Sequence, residues 1–307
     1  MHILIAGATG AAGRALIPLL TANGHTVTGT TRTEAKAGKL RALGANAQIM
    51  DGLDAASVKA AIEATQPDVI VHQMTALTGI DMKNIDKAFH VTNRLRTEGT
   101  EHILAAAQDR LVVAQSFAGW PYARTGGRIK TEADPLDPTP PKGIRETHAA
   151  IRRLESLVTQ AGGIVLRYGG FYGPGSGMSK DGGEQVEMIR RRQFPLVGNG
   201  EGIWSFLHTD DLATATLAAI ESGRPGEIYN IVDDEPAATK DWLPYLAETI
   251  GAKPPRKVPA WLAKIVASPA AVAMMTEARG ASNAKAKAEL GWQPTHPSWR
   301  QGFPAGA

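Results

Sequence analysis

The 307-residue chain contains no cysteine, which excludes disulfide bridges and thiol chemistry. It also lacks any apolar run near the ~20 residues that a bilayer span requires. No basic segment with a cleavage site precedes the first apolar stretch, so no secretory leader is read. These absences give the expectation of a cytoplasmic protein without a membrane partner. Charge is balanced and interspersed, with 33 Lys and Arg against 30 Asp and Glu. The one dense basic run, Arg190-Arg191-Arg192, reads as a solvated helix face, so no nucleic-acid partner is expected. Internal repeats, low-complexity tracts and a metal site are likewise not read. A composition of 43% hydrophobic and 21% charged residues describes a globular chain long enough for one large or two modest domains.

What is present starts at the N-terminus. The apolar run Ile3–Ala6 leads into Gly7-Ala8-Thr9-Gly10-Ala11-Ala12-Gly13, and a helical pattern follows at once. Strand, tight turn and helix N-terminus in this order make a binding site for a dinucleotide pyrophosphate. Gly7 permits the turn, Gly10 lets backbone N–H groups approach phosphate, and Gly13 allows the helix to pack closely on the strand.

Strand and helix then alternate. The helix Ala11–Ala22 is followed by the strand His25–Thr30, the helix Glu34–Leu43 and the strand Ala47–Met50. The helix Ala55–Thr65, capped by Asp54, precedes the strand Val69–His72. A long helix Asn84–Gln108, the strand Leu111–Gln115, the helix Arg145–Ala161 and the strand Ile164–Arg167 complete the series. Six strands joined by helices predict an α/β fold with a doubly wound parallel sheet, the Rossmann architecture. Beyond Tyr172 a glycine-rich loop precedes the helix Glu184–Arg192. Trp204–Leu207 and Glu227–Val232 read as strands returning to the sheet, with the helix Asp210–Glu221 between them. Short helices broken by prolines follow at Trp242–Ile250, Pro259–Ala267, Pro269–Arg279 and Ala284–Leu290. The expected division is a dinucleotide domain of residues 1–172 with 204–235, and a mostly helical substrate-binding cap of 173–203 and 236–307.

Seven blocks, in order, carry a family resemblance. They are the glycine motif, Asp51-Gly52-Leu53-Asp54, Asp68-Val69-Ile70-Val71-His72 and Gly99-Thr100-Glu101-His102-Ile103-Leu104. Leu166-Arg167 with Tyr172-Gly173-Pro174-Gly175, then His208-Thr209-Asp210-Asp211-Leu212-Ala213 and Leu290-Gly291-Trp292-Gln293-Pro294, complete the set. The chain resembles the extended short-chain dehydrogenases/reductases, the NAD(P)-dependent epimerases, dehydratases and reductases. That resemblance implies a bound dinucleotide and a Tyr-x-x-x-Lys pair, in which Tyr moves the proton and Lys lowers its pKa and holds the nicotinamide ribose. This sequence has no such pair anywhere. With Glu155 as the glutamate that follows the lysine in the family, Thr147 stands at the tyrosine position and Ile151 at the lysine position. The catalytic Ser/Thr position falls on Phe117, with Ser116 beside it.

The resemblance places the adenine beside Asp51, Gly52 and Leu53, the cofactor along Met74, Thr75 and Ala76, and the nicotinamide near Tyr168, Gly170 and Phe171. The second strand ends in Arg32 where NAD-selective folds carry an acid, which favours NADP over NAD. Trp204 replaces an arginine that holds nucleotide-sugar diphosphates in many members. With Phe117, Trp120, Tyr172 and Met178, it points to an apolar or aromatic small-molecule substrate. Candidate proton donors are Tyr122, Ser116, Thr147 and His148, the last reading better as an exposed helix histidine. Three functions remain open: a carbonyl or enone reductase with a relocated donor, a redox-neutral isomerase, lyase or cyclase, and a dinucleotide sensor. The resemblance further suggests a homodimer through the helices Asn84–Gln108 and Arg145–Ala161.

Overall fold

The computed structural model describes residues 1–77 and 84–306. Its central sheet has seven parallel strands: β1 (His2–Ala6), β2 (Thr26–Thr31), β3 (Asn46–Ile49), β4 (Val69–His72), β5 (Leu111–Phe117), β6 (Ile164–Tyr168) and β7 (Ile228–Ile231). Their order is β3-β2-β1-β4-β5-β6-β7. The chain winds outward from β1 to β3 and then restarts on the other side at β4, so a topological switch point lies beside β1. All four β4 residues and four of five in β1 are buried, as strands covered by helices on both faces must be. The register pairs Ile3 with both Val27 and Val69, which brings the β1 and β4 C-termini level below the glycine loop.

Most elements stand where the sequence puts them. The helices Ala11–Ala22, Ala55–Thr65 and Ala284–Leu290 keep their expected limits. Asp54 caps the second of these by accepting the Ala56 and Ser57 N–H groups at 2.9 and 3.3 Å. Two expectations need correction. The long helix Asn84–Gln108 is broken into Ile85–Ala88, His90–Arg94, a π-helical turn Leu95–Gly99 and Thr100–Ala107. Phe89 leaves the helical region (ψ 4°) at the first break, and apolar periodicity does not register a single extra residue in a later turn. Trp204–Leu207 also does not return to the sheet. Because β7 occupies the free edge of β6, Ile203–Trp204 pairs with Ala237–Ala238 and Phe206–His208 with Gly170–Tyr172, in two small sheets.

These small sheets support a second core in the C-terminal region. Tyr172, Phe206, Trp242, Trp299 and Phe303 are fully buried together. Trp299 and Phe303, four apart, come from a helix, Trp299–Gly306, that the sequence reading omits. The tail is pinned by buried Asp211, which accepts hydrogen bonds from Thr295 N–H, Thr295 hydroxyl and His296 N–H at 2.6–2.9 Å. Among the described residues no helix is long and apolar enough to cross a membrane.

Two histidines are buried without a carboxylate partner, His72 at the end of β4 and His148 on the helix Arg145–Gln160. Burial lowers both pKa values to about 4, from an ordinary value near 6.5. Above pH 6.5 both are neutral in the folded and unfolded states. Between about 6.5 and 4 only the unfolded chain takes up the protons, so stability falls with pH by about 1.4 kcal/mol per unit for each histidine. Urea titrations at pH 7 and pH 5 should show the midpoint dropping. His72→Gln should flatten that dependence measurably, and an unchanged slope in the variant would contradict the assignment.

Candidate functional site

The three N-terminal glycines meet three different surroundings. Gly7 has φ +86°, and a Cβ there would lie 2.8 Å from the Gln73 carbonyl oxygen. The turn and the approach of the β4 exit both therefore require glycine. At Gly13 a Cβ would sit 2.0 Å from the Ala8 carbonyl oxygen, so the helix rests on the loop that follows β1, and not on the strand itself as expected. At Gly10 the nearest atom is 3.8 Å away, which leaves open space over the loop. The helix Ala11–Ala22 begins there with no side-chain cap and no acid in its first turn. Its first N–H groups thus face outward at the positive end of the helix, and these residues fit a dinucleotide pyrophosphate. Thr9 and Ala11 border the loop half-buried, and Ala12 is buried beneath it.

The other predicted cofactor residues lie along the same edge of the sheet. Asp51 accepts the Leu53 N–H at 3.0 Å, making a tight turn. Gly52 is packed so closely on Met74 that a Cβ would meet its sulfur at 2.3 Å. Exposed Thr75 and half-buried Ala76 follow, and Ala76 N–H donates to Thr92 Oγ1 at 3.0 Å. Arg32 is exposed at the end of β2, whereas Glu34, the nearest acid, pairs with Arg41 at 3.0 Å. Gly170 and Phe171 are half-buried. Tyr168 differs from the expectation: it is fully buried, its hydroxyl bonded to Thr216 and Gln73, and burial pushes its pKa up to about 12. It ties β6 to the β4 exit and does not border an open cleft.

The candidate proton donors are all sealed. Ser116 is 2% exposed and donates to Glu155 Oε1 at 2.6 Å. Glu155 also receives Arg167 Nε and Nη2 at 2.8 and 2.6 Å. Arg167 Nη1 then donates to the Tyr122 hydroxyl at 2.9 Å, and that hydroxyl donates to Asn230 Oδ1 at 2.7 Å. Tyr122, a candidate proton donor in the sequence, is completely buried, and burial raises its pKa. Burial alone would weaken the Arg167 charge, but Glu155 reverses this and holds the guanidinium protonated. Thr147 is fully buried, donating to Asp86 Oδ1 at 2.9 Å and accepting from Asn93 Nδ2 at 3.1 Å. Ile151 is 1% exposed. Ser116, Tyr122 and Thr147 are thus anchors of the framework in this structure, with their hydroxyl protons already donated.

Of the predicted substrate residues, Phe117 and Trp120 come together, ring centroids 5.4 Å apart. His148 meets the Trp120 edge at the same distance and is 2% exposed, correcting its reading as a surface histidine. Trp120, Ile144, His148, Ala270 and Met274 line a small cavity between the sheet domain and the C-terminal helices. Tyr172 and Met178, by contrast, are buried in the second core. Trp204 packs on Trp242 and donates to the Met274 carbonyl at 3.2 Å. Those three are packing residues here because Phe206, Trp242 and Phe303 enclose the space beside them. The sequence reading missed the Glu155–Arg167 pair as a structural anchor. Its signal was an arginine inside the apolar strand Ile164–Tyr168 and an acid on the buried 147-151-155 stripe of a helix.

The glycines give a sharp contrast. Gly10→Ala has room in the free protein and should change folding stability by no more than ~0.5 kcal/mol. It should still weaken dinucleotide binding at least tenfold in calorimetry, because its methyl enters the phosphate space. Gly13→Ala should instead cost roughly 1–3 kcal/mol of stability through overpacking. Equal effects of the two substitutions on binding and on stability would contradict these roles.

The chain matches the model of the NAD dependent epimerase/dehydratase family over residues 3–232. It is 42% identical over 309 residues to a Streptomyces protein named 3-diazoavenalumate denitrifying reductase, covering 99% of each chain. A Stigmatella aurantiaca ketoreductase of a farnesylated dihydroquinoline-oxide is 29% identical over 258 residues, 82% of this chain and 74% of that one. In fold it is similar to UDP-glucose 4-epimerase from Thermotoga maritima, with a TM-score of 0.78 at 20% identity over 99% and 96% of the two chains. The Thermus thermophilus UDP-glucose 4-epimerase, solved in complex with NAD, superposes at a TM-score of 0.74 with 21% identity, over 99% and 97%. Glycine loop, sheet topology, full-length reductase relative and family match agree: the chain is an enzyme of the NAD dependent epimerase/dehydratase family, and its sequence contains no Tyr-x-x-x-Lys.

Proposed function

We propose that this protein is an NADP(H)-dependent reductase that transfers hydride to an apolar or aromatic diazo compound with loss of dinitrogen. The observation that carries the proposal is the sealing of the three candidate hydroxyl donors, Ser116, Tyr122 and Thr147. Ser116 and Thr147 donate to carboxylates, Tyr122 to Asn230, and Ile151 and Phe117 have no proton to give. Reduction of a ketone creates an alkoxide that needs a proton from a positioned acid. Replacement of nitrogen on an arenediazonium carbon does not. One C–H bond forms, the C–N electron pair leaves with N₂, and the positive charge of the substrate is cancelled by hydride.

When bound, the dihydronicotinamide supplies that hydride. The chain's own residues then have two tasks, to hold the cofactor and to present a dry, apolar wall to the substrate. Gly7, Gly10 and Gly13 shape the phosphate loop, and Phe117 with Trp120 forms a tilted aromatic pair, the rings 40° apart. The name of the 42%-identical relative, a denitrifying reductase, supports the reaction class. Arg32, exposed at the end of β2 and without an ion-pair partner among the described residues, supports NADP over NAD by offering a guanidinium to a 2′-phosphate. The ketoreductase relative supports a second reading, carbonyl reduction with water as proton source.

Isotopes separate the two. With a hydroxyarenediazonium substrate and cofactor deuterated at the transferred position, one deuterium should appear on the carbon that lost nitrogen, with one N₂ released per cofactor oxidised. NADH should turn over more slowly than NADPH at equal concentration. Cofactor oxidation without nitrogen release, alongside efficient reduction of aromatic ketones, would move the assignment to carbonyl reduction.

A further inference from the structure

One buried cation has no role in the framework just described. Arg96 is 6% exposed, and burial lowers its pKa to about 10. A guanidinium carries five N–H donors. Among the described residues Arg96 makes one side-chain hydrogen bond, from Nη1 to Asn93 Oδ1, at a long 3.4 Å. The Phe89 ring lies 5.8 Å from its central carbon. Glu155 attracts it electrostatically, yet both Glu155 oxygens are already taken by Ser116 and Arg167. A desolvated charge with its donors this poorly used costs stability, and that cost is ordinarily repaid by a ligand or removed by substitution.

Its position says which ligand. Arg96 belongs to the π-helical turn Leu95–Gly99, a local geometry that is itself unfavourable and recurs at functional sites. That turn backs the cofactor edge directly. The Leu95 carbonyl lies 3.3 Å from His72 Nε2, Ala76 bonds Thr92, and a Cβ on Gly99 would stand 3.4 Å from the Met74 methyl. Across from the turn is the buried 147-151-155 stripe of the helix Arg145–Gln160. Asn93 bonds Thr147 at one end of this stripe, and Arg96 feels Glu155 at the other. Between these two ends of the stripe stands Ile151, where the resemblance places a lysine.

We infer that Arg96 is a cofactor-binding residue that supplies, from the neighbouring helix, the cation missing at Ile151, and donates to the hydroxyl groups of the nicotinamide ribose. The exchange of lysine for arginine suits a reductase without a catalytic tyrosine. An arginine cannot give up its proton at neutral pH, so it can hold a ribose but cannot relay a proton. The inference rests on the dinucleotide reading of the cleft and not on the diazo substrate.

The test is calorimetric and needs no substrate. NADPH and its adenine half, 2′-phosphoadenosine 5′-diphosphate, are titrated into the free enzyme and into Arg96→Met. The substitution should weaken NADPH at least tenfold, leave the half-ligand within twofold, and leave the melting temperature of the free protein unchanged or higher. Arg96→Lys should recover part of the NADPH affinity, and it carries the comparison if the methionine variant fails to fold. Equal loss of both ligands, or no loss of either, overturns the assignment. Failure of the half-ligand to bind even the unsubstituted protein would instead refute the dinucleotide cleft itself, so the two failures are distinguishable.

Discussion

The buried Glu155 carboxyl group governs the layout of this enzyme. It joins three elements: the helix Arg145–Gln160 that carries it, β5 through Ser116, and β6 through Arg167. Breaking such a pair from one side leaves an uncompensated charge in the core, at a cost of about 3–5 kcal/mol. The register of the helix on the sheet is therefore fixed, and with it the depth of Ile151 and Thr147, one and two turns away. Ser116 is held in the core as a partner of Glu155, and Tyr122 as a partner of Arg167. The same interaction that stabilises the sheet removes the hydroxyl groups from which a proton donor might have been recruited.

Hydride transfer without a positioned acid suits a reaction that makes no strong base. Loss of dinitrogen meets that condition, since the leaving molecule takes the electron pair and needs no protonation. The apparatus that remains here binds and orients. The helix Ala11–Ala22 starts without a side-chain cap, which suits phosphate, and Phe117 and Trp120 pack as an aromatic pair. Electrostatic preorganisation of this kind acts by positioning and by exclusion of water, without a titrating side chain.

Much of this was legible in the sequence, for reasons that can be named. The helices Ala11–Ala22 and Ala55–Thr65 announce themselves through apolar periodicity and through their ends, Gly10 and Asp54. The three glycine roles follow from spacing, because each requires the missing side chain in a different way. What stayed hidden depends on tertiary contacts. Tyr122 follows a proline in a loop-like stretch, and nothing local says that the chain folds it back onto Asn230, 108 residues further on. His148 and Arg96 carry polar signatures that suit a helix surface, and only the packing of two helices buries them. The strand at Phe206–His208 has the right residue types for the main sheet, but β7 had already taken that edge.

The central claim is hydride transfer without proton donation, and paired isotope effects under single turnover test it most directly. Deuterium at the transferred position of the cofactor should slow the chemical step, while a change of solvent from H₂O to D₂O should leave its rate constant unchanged. A solvent isotope effect on that step, with a proton inventory showing one proton in flight, would contradict the account.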